Sequence, residues 1–399
     1  MISYARLKKL IRRLVPPAIY RPISSSRRHA QNLARSFKAV LQASFRANLL
    51  REMSYVHNSG ISWGPPRIGY METTSYCAGR CIMCPKPYVF SRTPEHMPWD
   101  LFERIIRQVK PAYQVFAPGG AAPDGTPTIQ QMVFGSPFLY PYFEEAISLC
   151  KQRGICVIVS DIAAIATAER MEKAVRAGLD DIWLMLDGMD NETSTKIRGP
   201  AATYDQGAAN IHAIVALKRA LGVERPRVLV VMIRQPANRH QWTQFLEYWS
   251  SVKGVVPYLA HFSNFSGNVP EINQMLKELQ ALSAQPEEDK RVQELSEYRC
   301  FYPWHSVTIL SDGRVVPCCR DVNGTYTLGD LRQKTLAEIW NDAPIQKLRQ
   351  ELISGRATNS LCAPCTEANN EIGLPNRFYP GFNIISKSHP NRFKAKRLQ

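Results

Sequence analysis

Six strand-like runs alternate with five helix-like runs between residues 68 and 262, and few folds accommodate that pattern. The strand-like runs cover residues 68–74, 131–134, 156–160, 181–186, 228–233 and 255–262. The helix-like runs between them cover 98–109, 142–153, 168–177, 206–221 and 241–252. Repeated β/α units predict an α/β fold with a parallel sheet, curved or closed, and helices outside it. Chemistry on such a frame belongs at the C-terminal ends of the strands. After Glu271 the composition changes, and a polar helical linker at 286–298 leads to a cysteine-bearing segment that reads as a separate small domain.

Cys77, Cys81 and Cys84 fall at one of those strand ends, after the first strand-like run, with C-x3-C-x2-C spacing. Three thiolates so spaced can reach three corners of a [4Fe–4S] cube, leaving the fourth iron open to a small molecule with an amine and a carboxylate. A structural zinc site is the alternative. Zinc takes four closed ligands, however, and the nearest following histidine, His96, lies twelve residues beyond Cys84. With ten cysteines in a chain of 399 residues and no apolar leader, tight spacings read as metal ligation rather than as a disulfide framework.

The stretch Glu72-Thr73-Thr74-Ser75-Tyr76-Cys77-Ala78-Gly79-Arg80-Cys81-Ile82-Met83-Cys84-Pro85 resembles the opening of the radical S-adenosylmethionine (SAM) superfamily. Later landmarks of that family follow in order. Gly135-Ser136-Pro137 resembles its Gly-Glu-Pro segment, and Leu186-Asp187-Gly188 with Lys196-Ile197-Arg198-Gly199 resembles its fourth-strand segment and Arg-Gly. The resemblance spans roughly residues 68–375 and implies a partial (β/α)6, TIM-like barrel with SAM across its mouth. It implies Cys77, Cys81 and Cys84 on a catalytic cluster, and SAM near Met83, Gly135, Ser136, Pro137, Ser160, Asp187 and Arg198. Reduction of SAM would then give a 5′-deoxyadenosyl radical that takes a hydrogen atom from substrate.

Three positions depart from the family pattern. Ser136 stands where the family's Glu binds the SAM amino group, and Met185 where Ser is common. Ser160-Asp161-Ile162 replaces the family's Thr-Asn-Gly. Asp161 and Asp124 are the candidates for the missing carboxylate, weighed against plain solvated loop acids.

Cys300, Cys318, Cys362 and Cys365 form a second set, spanning a hairpin signal (Ser311-Asp312-Gly313-Arg314-Val315) and a helical Leu336-Ala337-Glu338-Ile339-Trp340. This set resembles the C-terminal auxiliary-cluster domain of SPASM/Twitch enzymes in single-cluster form, an α+β domain. The alternative is a four-Cys zinc fold, and Cys319 competes with Cys318 as ligand. The cofactors implied are two [4Fe–4S] clusters, one SAM-binding and one auxiliary, with SAM itself. A fully ligated auxiliary cluster suits the removal of an electron from a substrate radical, which favours oxidation.

The organisation expected is a basic amphipathic helical extension at 1–60, the core at 61–285, the auxiliary domain at 286–375 and a basic tail at 376–399. Residues 1–60 hold twelve Lys/Arg against one acid and residues 372–399 hold six against none, so the ends account for the chain's net charge of +16 and the residues between them are close to neutral. An anionic membrane surface met through residues 1–55 ranks first as their role, a partner-binding arm next and nucleic acid last. An organelle import signal is a further reading of the acid-poor first 51 residues. No run of about 18 apolar residues spans a bilayer. The expected setting is cytoplasmic, with a reductant such as flavodoxin or ferredoxin.

Other candidates have plain explanations beside functional ones. Cys156 is weighed as a hydrogen-atom donor against a core cysteine, as is Cys150. His261 and His305 are weighed as acid/base groups, and Tyr258, Trp183 and Trp304 as cavity walls. The substrate expected is a small polyol, sugar or lipid-linked metabolite that is oxidised. A ribosomally made peptide is the alternative, and an iron–sulfur binding protein without SAM cleavage is the alternative from another class.

Overall fold

A computed structural model of the protein describes residues 43–109, 128–131, 133–282, 300–355 and 357–365. The first 42 residues, Asp124, the polar linker and the basic tail lie outside these. In chain order the elements begin with α1 (Ala43–Val56), β1 (Ile68–Met71), α2 (Lys86–Val89), α3 (Trp99–Gln108), β2 (Thr128–Gln131), α4 (Phe143–Gln152) and β3 (Cys156–Ile162). They continue with α5 (Ala168–Arg176), β4 (Asp181–Met185), α6 (Asn191–Arg198), α7 (Tyr204–Ala220), β5 (Arg227–Ile233), α8 (Trp242–Ser251), β6 (Val255–Ala260) and α9 (Pro270–Leu282). The C-terminal part adds α10 (Tyr302–His305), β7 (Val307–Ile309), β8 (Arg314–Val316), β9 (Gly329–Asp330), α11 (Leu336–Trp340) and α12 (Ala343–Ile353).

Strands β1 to β6 lie side by side in chain order, all parallel, as six β/α units require. One face packs on the helices: Val157, Val159, Ile182, Leu184, Val228 and Val230 join a core with Phe102, Ile147, Phe245 and Trp249. The alternate residues Ile158, Trp183, Leu229 and Val231 meet on the inner face, with Met185 and Ala260 beside them. Burial on both faces makes the strands read as continuous apolar runs. Asp181, fully buried, closes the N-terminal end of this inner face with Arg225 at 3.0 Å and Arg227 at 2.6 Å.

Three expectations need correction. The second strand is Thr128–Gln131, not 131–134, because its register is set by pairing with Cys156–Val159. Helix α6 was not foreseen: Asn191–Arg198 offers little apolar periodicity, and Asp190 caps it by accepting from the Thr193 amide at 2.7 Å. The cysteine-bearing segment does not stand apart either. Strand β7 pairs parallel with β1 (Tyr70 opposite Thr308), and β8 and β9 continue the same nine-stranded sheet.

The described part of the basic extension is also packed down. Arg51, fully buried, donates to the Pro65 carbonyl at 2.8 Å, and the Ser59 carbonyl accepts from Trp304 Nε1 at 2.7 Å. No helix among the described residues is long and apolar enough to cross a membrane.

Candidate active site

The cysteine loop leaves β1 and is tied down on both sides. Upstream, Ser75 N donates to the Glu95 carbonyl at 2.9 Å and Met97 N to the Thr73 carbonyl at 2.8 Å. Downstream, the loop docks on the end of α6: Arg80 N donates to the Arg198 carbonyl and Ile82 N to the Ile197 carbonyl, both at 2.9 Å. The last carbonyls of a helix lack partners of their own, and here the loop amides supply them. Docking thus ties the C-x3-C-x2-C loop to the Ile197-Arg198-Gly199 segment.

Sulfur atoms gather around Gly79. An ideal Cβ on that residue would overlap Ile162 Cδ1 and lie 3.3 Å from Cys81 Sγ and 3.6 Å from Cys77 Sγ, so glycine leaves this space to Ile162 and the sulfurs. Gly79 N donates to Cys77 Sγ, and Arg198 Nη1 donates to Cys81 Sγ, each at 3.4 Å. Burial pushes the Cys77 thiol up to about 11, with the neighbouring Asp161 charge adding to it. Burial likewise raises Cys84 to about 12. Bare thiols so placed resist ionisation, and the positive charge of iron is what turns them into thiolates. The donor set fits a [4Fe–4S] cluster, with N–H···S bonds of the kind that tune one.

Around the loop stand the other residues expected from the sequence. Ser136 N donates to the Tyr76 carbonyl at 2.7 Å, bringing Gly135, Ser136 and Pro137 against the residue before Cys77. A Cβ on Gly135 would overlap the Thr74 carbonyl, which explains the glycine. Arg198 Nε pairs with the Asp187 carboxylate, which also accepts from Ile233 N at 2.6 Å. Burial opposes the Arg198 charge, but Asp187 and Cys81 hold its pKa above the usual value. Its Nη2 is buried without an acceptor among the described residues. Ser160 lies at β3 on the inner face, and Met83 packs into an apolar cluster with Ile162, Ile197 and Phe262.

Asp161 is not a solvated loop acid. It is 7% exposed, lies one residue before the end of β3, and accepts from Ser136 Oγ, from Phe138 N at 3.3 Å and from Ile162 N at 2.7 Å. Burial raises its pKa to about 6 against these hydrogen bonds.

In the second set, burial raises Cys300, and Cys365 and Cys362 raise it further. Cys318 is raised by burial, then by Cys319, Cys300 and Cys362, while burial and Cys365 push Cys362 up to about 12. Four thiols close enough to repel one another as thiolates, beside Arg320, suit a fully ligated cluster. Cys319 Sγ accepts from Arg320 Nη1 at 3.8 Å.

Other candidates lie elsewhere. Cys150 is buried in α4 against the core, and Cys156 begins β3 at the opposite end from the cysteine loop. Trp304 is fully buried and donates to the Ser59 carbonyl at 2.7 Å, which fits a packing role. His305 sits 3.0 Å from Glu52, and exposed His261 lies 2.7 Å from Arg234. One network escaped the sequence reading. Glu72, fully buried, accepts two bonds from Arg92 at 2.8 and 2.9 Å and one each from Ser311 N and Oγ at 3.0 Å. An acid closing an apolar strand was its only local signal.

The family model for the radical SAM superfamily matches residues 71–232, and that for the SPASM iron–sulfur cluster-binding domain matches 300–366. The chain is a radical SAM protein with a C-terminal SPASM domain. Membership supports an enzyme that uses SAM and a [4Fe–4S] cluster, and the SPASM domain implies auxiliary cluster chemistry. Among curated relatives, this radical SAM protein is 23% identical over 299 residues to the tungsten-containing aldehyde ferredoxin oxidoreductase cofactor-modifying protein of Pyrococcus furiosus. That match covers 68% of this chain and 80% of the relative. Among solved structures it resembles Streptococcus suis SuiB bound to SAM, with 17% identity and a TM-score of 0.55, covering 92% of this chain and 81% of that one. It also resembles native anSMEcpe with bound AdoMet, at 11% identity and a TM-score of 0.50, covering 80% and 97%. These likenesses show the shared fold.

Proposed function

We propose that Cys77, Cys81 and Cys84 hold the SAM-binding cluster and that Cys300, Cys318, Cys362 and Cys365 hold one auxiliary cluster. The substrate in this reading is an uncharged small or lipid-linked metabolite, which the enzyme oxidises. The loaded cluster and SAM supply the one-electron chemistry that removes a hydrogen atom. This chain's residues do the rest. Arg198 steadies Cys81 and keeps Nη2 for an incoming acceptor, while the Ser136 segment closes the loop from the other side.

The observation that carries the substrate class is the neutrality of the inner sheet face. Between the Asp181–Arg227 pair at its floor and Asp187–Arg198 at its mouth, β3 to β5 present Ile158, Ser160, Trp183, Met185, Leu229 and Val231 there, with no Asp, Glu, Lys, Arg or His. A charged substrate would lose hydration on that surface without gaining a partner. Trp183 Nε1, buried and without an acceptor among the described residues, supplies a donor for a hydroxyl or carbonyl oxygen. Pairing of β7 with β1 joins the auxiliary segment to the same sheet, which supports its use as an electron acceptor.

The test is 5′-deoxyadenosine formation by anaerobically reconstituted protein with dithionite and SAM, beside a Cys77/Cys81/Cys84→Ala triple variant. Panels of neutral polyols, glycosides and uncharged glycolipids are added in one arm and peptides in the other. Faster product formation with a neutral metabolite, absent in the variant, is expected. Stimulation by peptides alone would overturn the substrate class. No product from protein holding about eight irons per chain would overturn SAM cleavage itself.

A further inference from the structure

Asp161 and Asp321 are the buried carboxylates with no ion pair among the described residues; Asp321 is held by the Thr325 and Tyr326 amides of the auxiliary segment, whereas Asp161 lies beside Cys77. Glu72 holds Arg92, Asp180 holds Lys151 at 2.7 Å, Asp181 holds Arg225 and Arg227, and Asp187 holds Arg198. Asp161 makes hydrogen bonds only to Ser136 Oγ and the Phe138 and Ile162 amides, and no ion pair among the described residues. An ionised carboxylate buried without a counter-charge is costly, and it is retained where a cationic or N–H-rich ligand completes it.

Its place suits such a ligand. Ser136, which donates to Asp161, is itself bonded to the Tyr76 carbonyl, one residue before Cys77. Ile162, the next residue of β3, reaches the spot over Gly79 that lies between the sulfurs of Cys77 and Cys81. Asp161 thus borders the side of the cysteine loop that faces β3. The neighbouring carboxylates are engaged: Asp187 by Arg198 and Ile233 N, Glu72 by four bonds.

We propose that Asp161, positioned by Ser136, is the carboxylate that accepts the amino-group hydrogens of SAM. An amine bound to iron through its lone pair keeps two N–H hydrogens, and in a buried site these need acceptors. Ser136 is then a positioning residue, whose hydroxyl orients Asp161. The inference rests on the reading that SAM binds at Cys77, Cys81 and Cys84.

The test measures SAM affinity by anaerobic ultrafiltration and the change in the EPR spectrum of the reduced cluster on adding SAM, with iron counted per chain. Asp161→Asn is expected to weaken SAM about 10- to 100-fold, the range for a hydrogen bond to a charged group, and to diminish the spectral change. Adding Ser136→Glu to Asp161→Asn returns a carboxylate from the adjoining loop and is expected to restore most of the affinity. Unchanged affinity in Asp161→Asn with iron retained would overturn the inference while leaving the SAM site intact. If Asp161→Asn loses iron, a double variant that regains iron but not SAM binding would show a purely structural Asp161 and overturn it as well. Wild-type protein that holds its iron yet neither binds SAM nor changes its spectrum would instead overturn the underlying reading.

Discussion

Breaking the Glu72–Arg92 pair provides a demanding check on how the two halves are joined. Both side chains are nearly removed from water, at 0% and 5% exposure, and Glu72 accepts bonds from Arg92 and from Ser311, 239 residues away. Arg92 also donates to the Val322 carbonyl at 2.9 Å, so a single guanidinium links the base of the cysteine loop to the auxiliary segment. Glu72→Gln keeps an acceptor for Ser311 N but leaves Arg92 charged and uncompensated. Removal of one partner of a buried pair costs about 3–5 kcal/mol. Arg92→Met is expected to cost a similar amount, and the double variant far less than the sum, because a lost charge no longer needs its partner. Anaerobic urea unfolding of the apoprotein measures all three, and the shared sheet predicts one transition for both halves. A Glu72→Gln cost below about 1 kcal/mol, or strict additivity, would refute the argument by showing that water reaches the pair.

Two further predictions concern the loop's supports. Asp190 caps α6, whose end receives the cysteine loop, and the hydrogen bond from Thr193 N holds its pKa below the ordinary carboxylate value. Asp190→Ala is expected to cost about 1 kcal/mol at pH 7. A depressed folded pKa means stability that is present above the unfolded value and lost as pH falls through the folded one. The cost should therefore shrink in unfolding experiments at about pH 3, and a cost independent of pH would contradict the assignment. Gly135→Ala is expected to displace the Ser136 segment, since its Cβ overlaps the Thr74 carbonyl. SAM-dependent 5′-deoxyadenosine formation should fall at least about tenfold, equivalent to 1.4 kcal/mol, with cluster iron retained, and wild-type turnover would refute the close packing.

Local features of the sequence determined a good deal. The six β/α units were legible because parallel strands buried on two faces leave dense apolar runs, and because helix periodicity is read within a dozen residues. The cysteine triplet was legible because its spacing lies within one loop, and the hairpin before Val316 because Gly313 marks its turn. What the tertiary structure decided are contacts between remote segments. Strand β7 is three residues long, too short to reveal a parallel partner at β1, so the auxiliary segment read as separate. Asp161 read as a loop acid because Ser136, 25 residues earlier, only meets it when β2 and β3 pair. Glu72 and Ser311 are likewise joined by the β1–β7 register. Such pairings gain their energy only once distant strands are in register, and no local window of sequence contains both partners.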